Sequence, residues 1–182
     1  MSAREAILRA ALRVIGEQGV AGLTNRRIVA EAGVSLGSLT YHFPSQTELL
    51  RQAMLLFAEE ETKKLTELAE TQRTDGISVE QAALAVEQVL AGMTFTTDDI
   101  APLELYLQAG RDLGLRDATQ RCFAAYDELA TTILAALGVP EPRQLAGPVV
   151  ALIAGLQLRR LATGEAPSAS TALTMLIHGS GG

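Results

Sequence analysis

Residues 24–43, Thr-Asn-Arg-Arg-Ile-Val-Ala-Glu-Ala-Gly-Val-Ser-Leu-Gly-Ser-Leu-Thr-Tyr-His-Phe, concentrate the side chains of this sequence that could do chemistry. The chemistry they suit is recognition by hydrogen bonding rather than bond making. Ser35, Gly37, Ser38 and Thr40 are small or hydroxyl-bearing at positions where a core helix would carry leucines. A slim, polar helix face of that kind suits the major groove of DNA, where Leu36 could also meet a thymine methyl. Tyr41 and His42 follow with groups able to donate to phosphates. Arg26 and Arg27 fall in the first turn of the preceding helix, where the macrodipole disfavours cations by about 0.3–1 kcal/mol each. An anionic partner would offset that penalty.

Catalytic readings of the same residues fail on context. Gly33-Val-Ser-Leu-Gly37 matches the Gly-x-Ser-x-Gly string of a nucleophile elbow, which requires a strand before the serine and a later Asp and His. Here a helical segment precedes it, and the only histidines that follow are His42, inside the motif, and His178, near the end. Two histidines and one cysteine, far apart, offer no metal-ligand spacing. No Gly-rich loop precedes a Lys-Ser/Thr pair. An all-helical enzyme would need convergent catalytic groups that do not appear, so no cofactor is expected. A helical adaptor, using the N-terminal module for protein contacts, is a further alternative.

The elements that must position these residues follow from apolar periodicity and capping signals. Residues 3–18 place Ile7, Leu8, Ala11, Val14 and Ile15 on one helical face. Thr24 is placed to cap a second helix that ends at Gly33, and Ser35 to cap a third that Pro44 stops. Ser45-Gln-Thr-Glu48 has the form of a capping box, opening a long helix to about residue 73, with a linker at 74–76. Ser78 to Gln81 forms a second box, for a helix to about residue 93. Further helices are expected over 97–110, 115–137 and 143–163, with a short last one after Pro167. Pro148 lies in the first turn of its helix or kinks it. The last residues, 179–182, should fray.

Composition agrees with an all-α protein of two parts. Nearly half the residues are apolar and a fifth are charged, which excludes a disordered chain. The net charge of −6 is unevenly spread: residues 1–51 carry six Arg against four acids, the remainder nine basic residues against seventeen acids. A mildly basic end on an acidic body fits DNA binding localised to that end. Cys122 stands alone, consistent with a reducing compartment. The N-terminus lacks the apolar run of a signal peptide. The longest nearly apolar stretch, 145–156, is about half a membrane span. A cytoplasmic location without membrane attachment is therefore expected.

Residues 10–50 resemble the DNA-binding domain of the TetR family of transcriptional regulators. The matching positions are Thr24, Arg26, Ile28, Ala32, Gly33, Val34, Ser35, Gly37, Leu39, His42, Phe43, Leu49 and Leu50. The resemblance implies a helix-turn-helix domain over 1–47 followed by a helical ligand-binding and dimerisation domain over 48–182. It implies base contacts from Arg26, Leu36, Gly37 and Ser38, and backbone contacts from Thr24, Asn25, Thr40, Tyr41 and His42, with Arg27, Ser35 and Gln46 at the same surface. Two positions depart from the family pattern. Thr40 stands where its tyrosine is usual, leaving open whether Thr40 or Tyr41 reaches the phosphate. Gln46 replaces its usual lysine, which predicts a shallower salt dependence.

For the body the resemblance is one of architecture alone: a homodimer that binds a small-molecule inducer and a double-stranded operator. Val149, Val150, Leu152, Ile153, Leu156, Leu158 and Leu161 wrap most of the 143–163 helix, so we expect it to form the seam with the last helix, with Arg159 and Arg160 on the rim. Candidate inducer-binding residues combine apolar walls with a few polar groups: Phe57, Met93, Phe95, Tyr106, Gln108, Arg111, Cys122, Phe123, Tyr126 and Gln157. Arg111 is expected to pair with the adjacent Asp112.

Overall fold

The computed structural model describes residues 2–71, 77–92 and 96–179. The linker expected at 74–76 and the candidate residues Met93 and Phe95 lie outside them, as do the last three residues. Among the described residues the regular elements are all helical: α1 (Ala3–Gln18), α2 (Asn25–Ala32), α3 (Leu36–His42), α4 (Gln46–Thr71), α5 (Val79–Gly92), α6 (Thr97–Ala109), α7 (Arg116–Ala136), α8 (Pro142–Thr163) and α9 (Ala169–Gly179). Short 3-10 turns at Val20–Gly22 and Leu113–Leu115 follow α1 and precede α7.

The helices assort into two compact units, residues 1–61 with 95–123, and residues 62–94 with 124–182. In the first unit α1 packs against α2, α3 and α6. Ile7, Ala10, Ala11 and Ile15 are fully buried, as are Leu105, Leu115, Ala118 and Cys122. Ala10 joins the single apolar face expected for α1 because α6 covers a second side of that helix. Alanines at 10, 11, 101 and 109 keep this contact thin. Charged pairs tie α1 to its other neighbours: Arg9 holds Glu5 at 3.1 Å and Glu60 of α4 at 2.5 Å, and Arg13 holds Glu31 of α2 at 2.6 Å.

The capping signals are realised unequally. Ser78 and Gln81 form a complete box, with bonds of 3.3 and 2.9 Å. At α4 only half forms: Ser45 Oγ accepts from the Glu48 N–H at 3.1 Å. The Glu48 carboxylate turns instead to Arg51 (2.7 and 2.8 Å) and Gln52 (2.8 Å). Charge-assisted bonds to a guanidinium outcompete the lone backbone N–H. They also hold the Glu48 carboxyl below its ordinary pKa. α6 opens at Thr97 as expected, with the Asp99 carboxylate accepting from the Thr96 N–H at 2.8 Å.

In the second unit α5 packs on α9, and α8 on α9, around Ala83, Leu134, Val139, Leu145, Val149 and Leu173. α8 continues through Pro148, and Pro142 opens it, a first-turn position that needs no N–H. Arg160 has acceptors within its own unit: its guanidinium donates to the Leu90 and Ala91 carbonyls at the end of α5, at 2.8 Å for Ala91. Unpaired carbonyls at a helix C-terminus attract a cation. Arg159 stays exposed. One helix among the described residues, Pro142–Thr163, is long and apolar enough to cross a bilayer, being longer than the 145–156 run inside it. It packs along α9.

Cys122 is fully buried, and its thiol donates to the Met54 carbonyl at 3.6 Å. Burial pushes its pKa up to about 11. The folded chain should therefore resist an aromatic disulfide reagent at pH 8 and react once unfolded. Because the folded thiol keeps its proton where the unfolded one ionises, its contribution to stability is present below pH 9.0 and lost as pH rises toward about 11. Urea melts of the parent and Cys122→Ala at pH 8 and 10.5 measure this, and the parent should lose more stability across the interval.

Candidate nucleic-acid interface

Two caps and one left-handed glycine build the reading surface. Thr24 Oγ1 accepts from the Arg27 N–H at 3.3 Å and starts α2. Gly33 ends α2 with φ of 65°, a region that favours glycine. Ser35 Oγ then accepts from the Ser38 N–H at 3.1 Å and starts α3. Ile28, Leu39 and Phe43 point inward, 1%, 3% and 5% exposed. The opposite side of α3 is left open: Leu36 is 54% and Tyr41 84% exposed, with Ser35, Gly37 and Thr40 also exposed.

Hydroxyl partners separate residues of similar chemistry. As caps, Thr24 and Ser35 use an oxygen lone pair and keep a proton to donate. The Thr40 hydroxyl donates back to the Leu36 and Gly37 carbonyls, both at 3.2 Å, so its proton is used inside the helix. The Tyr41 ring stands edge-on to His42, centroids 5.1 Å apart, with its hydroxyl end in solvent. Arg27 donates to the Gly22 carbonyl at 2.9 Å. That internal acceptor supplies part of the compensation its helix position demands. Asn25 and Arg26 are exposed beside it. Gly37 needs no φ of its own type, and a Cβ there would meet nothing closer than Ser35 Oγ at 3.8 Å.

Behind α3, the first turn of α4 is tied to the turn after α6. Thr47 Oγ1 donates to Asp112 Oδ2 at 2.9 Å, and Asp112 Oδ1 accepts from the Gly114 N–H at 2.9 Å. Asp112 therefore serves Thr47 and Gly114 rather than Arg111.

The inducer candidates divide between the units. In the first, Tyr106 and Phe123 lie together, centroids 5.1 Å apart, and Phe57 is half-buried on α4. Gln108 and Arg111 line one cavity with Gln46. Cys122 is sealed in the core and presents no surface to a ligand. Tyr126 and Gln157 are half-buried in the second unit. Glu104 and Gln18, which share the cavity of Gln108 and Arg111, escaped sequence reading because nothing local links α1 to α6. Among the described residues, no three His, Cys, Asp or Glu side chains are grouped to hold a metal ion.

A short helix with an open polar face, held by a glycine turn at one end of an all-helical chain, defines a helix-turn-helix protein. Residues 7–53 match the family model described as bacterial regulatory proteins, tetR family, and residues 78–179 match that of the tetracyclin repressor-like C-terminal domain. The chain belongs to the TetR family, whose members are transcriptional regulators and not enzymes. Curated relatives include the HTH-type transcriptional regulators CymR of Pseudomonas putida, 32% identical over 125 residues, and PksA of Bacillus subtilis (strain 168), 44% identical over 66 residues. These matches take in 66% and 36% of this chain, which spans only 58% and 32% of the two relatives. Among solved structures, the multidrug binding protein EbrR complexed with ethidium is 30% identical with a TM-score of 0.76, over 97% of this chain and 98% of that one.

The Thr47–Asp112–Gly114 contact yields a test. A Cβ on Gly114 would stand 2.7 Å from Thr47 Cγ2. Relief requires Thr47 to rotate and give up its bond to Asp112. Gly114→Ala should cost about 1–2 kcal/mol in urea unfolding. In a Thr47→Ala background the same change should cost clearly less, since the clashing methyl and the bond are both gone.

Proposed function

We propose that the chain is a ligand-responsive repressor that binds a palindromic operator as a homodimer and is released by a small-molecule inducer. One observation carries the DNA-reading part: α3 is amphipathic in an unusual sense, with Leu39 buried and an outer side rich in small and hydroxyl-bearing residues that nothing among the described residues covers. Gly37 strengthens it. A glycine inside a helix forfeits up to about 1 kcal/mol against alanine, and the 3.8 Å clearance gives no internal reason for it. Close approach of a DNA edge is such a reason. Arg26, Leu36 and Ser38 then address bases, while Thr24, Asn25, Arg27, Ser35 and His42 hold the backbone. Between the two candidate hydroxyls, Tyr41 is the phosphate donor, because the Thr40 proton is already engaged.

The homodimer reading rests on α8 and α9. Pro148, Ala151, Gly155, Leu158 and Ala162 form an exposed stripe of mostly small apolar residues along α8, and Met175 of α9 is 70% exposed. A Cβ on Gly155 would meet nothing within 4 Å, so the chain itself gives no steric reason for glycine there. A second copy approaching closely would use it. Release by an inducer is supported by the family and by EbrR, whose solved complex contains ethidium. Two recognition helices about 34–36 Å apart would read successive major grooves, and a ligand that favours another spacing would lower affinity. A cytoplasmic location follows from this role.

The full chain should retain DNA from upstream of its own gene, with affinity falling as salt rises. A flat salt response or no retained fragment rejects the reading. Gly37→Ala should melt no lower than the parent yet bind operator about tenfold more weakly. Tyr41→Phe should weaken all sequences alike, and Thr40→Ala much less. A thermal-shift hit from a screen of aromatic small molecules should lower operator retention.

For the assembly, Leu158→Glu combined with Met175→Glu should convert a dimer to a monomer by light scattering, with helicity by circular dichroism unchanged. A parent that is already monomeric, or a variant that stays dimeric, rejects the α8–α9 seam.

A further inference from the structure

A cavity of about 620 Å³ opens in the first unit where the end of α1, the Val20–Gly22 turn, the start of α4 and the last turns of α6 meet. Small-molecule sites span roughly 300–1,000 Å³. Five of its lining side chains are polar: Gln18, Gln46, Glu104, Gln108 and Arg111. None of the five makes a side-chain hydrogen bond or ion pair within the described residues. Gln18, Gln46 and Arg111 are exposed and Glu104 and Gln108 half-buried, so their donors and acceptors face solvent in the cavity and are open to a ligand.

Their order is as informative as their number. Glu104 and Gln108 stand one turn apart near the end of α6, and Arg111 lies in the turn just beyond that helix, so the carboxylate and the guanidinium stand at opposite ends of this row with no ion pair between them. Opposite charges that are not paired leave each other unneutralised. Gly19, with φ of 68°, brings bare backbone to the carboxylate end, where a Cβ would lie 3.3 Å from Glu104 Oε2. Gln46 faces the same space from the first residue of α4.

We propose that this cavity binds a small, elongated zwitterion of dipeptide type, its ammonium at Glu104 and its carboxylate on the Arg111 fork. The amides of Gln108 and Gln46 then meet the peptide group between the two ends. A guanidinium takes a carboxylate through two parallel bonds, and a carboxylate accepts from an ammonium, so each end of the wall selects one end of the ligand. The site is independent of the operator reading and is tested without DNA. Its position gives it a route to the reader all the same, because Thr47, next to Gln46, is bonded to Asp112, next to Arg111.

Glycylglycine is the probe, titrated into the isotopically labelled full chain. Saturable amide shifts are expected at residues 19–23 and 108–112. N-acetylglycylglycine and glycylglycinamide, each lacking one charge, should bind about tenfold more weakly or worse. Glu104→Gln should erase the preference over the acetylated form, and Arg111→Gln the preference over the amide. Both variants should melt with the parent, since neither side chain has an internal partner to lose. Shifts confined to other residues, no saturation at high millimolar probe, or blocked forms binding as well as the parent dipeptide would overturn the assignment.

Discussion

The first unit depends on α1 being buried on two sides at once. Ile7, Ala11 and Ile15 lose all their exposure to the small core beneath α2 and α3, while α6 lies against the same helix. Burial of aliphatic side chains at this level contributes about 1.5–3 kcal/mol each, more than any exposed ion pair on its rim. Small residues allow it: alanine at 10, 11, 101 and 109 lets two helices close on a third. The reading surface is a by-product of that packing. With Leu39 and Phe43 drawn in, the remaining face of α3 has nowhere to go but outward.

Polar groups around this core take different roles according to what else can bond them. Glu48 abandons its capping partner for Arg51, and Thr40 bonds back into its own helix, whereas Ser35 and Thr24 cap and still retain a proton. The same accounting separates Arg27, with the Gly22 carbonyl as an acceptor, from the cavity side chains Glu104 and Arg111, which have none within the described residues. Function in a small binding protein is carried by the groups that folding leaves unspent. A hydroxyl whose proton is used internally is a poor candidate for a phosphate, however well its position fits a pattern.

Sequence reading went furthest where the relevant forces act within a few residues. Caps at Thr24, Ser35 and Ser78, the turn at Gly33, and the alternation of Ile28, Leu39 and Phe43 with polar neighbours are all set by contacts between residues three or four apart. The family resemblance lies in that same local stretch, and the match over residues 7–53 falls there too. The body is less legible. Its helices are visible from periodicity, but an apolar residue such as Leu158 or Tyr106 has the same local signature in a core, a pocket or a seam.

By itself the sequence determined the helices, their ends and the polar outer face of α3, because those follow from backbone hydrogen bonds and short-range side-chain chemistry. Only the tertiary structure decided the partners. Thr47 meets Asp112, Arg160 meets the carbonyls of Leu90 and Ala91, and Cys122 is sealed against Met54. Each joins residues 65 or more positions apart. Such meetings follow from which apolar faces close on one another, and that is a property of the whole packed unit rather than of any stretch of chain.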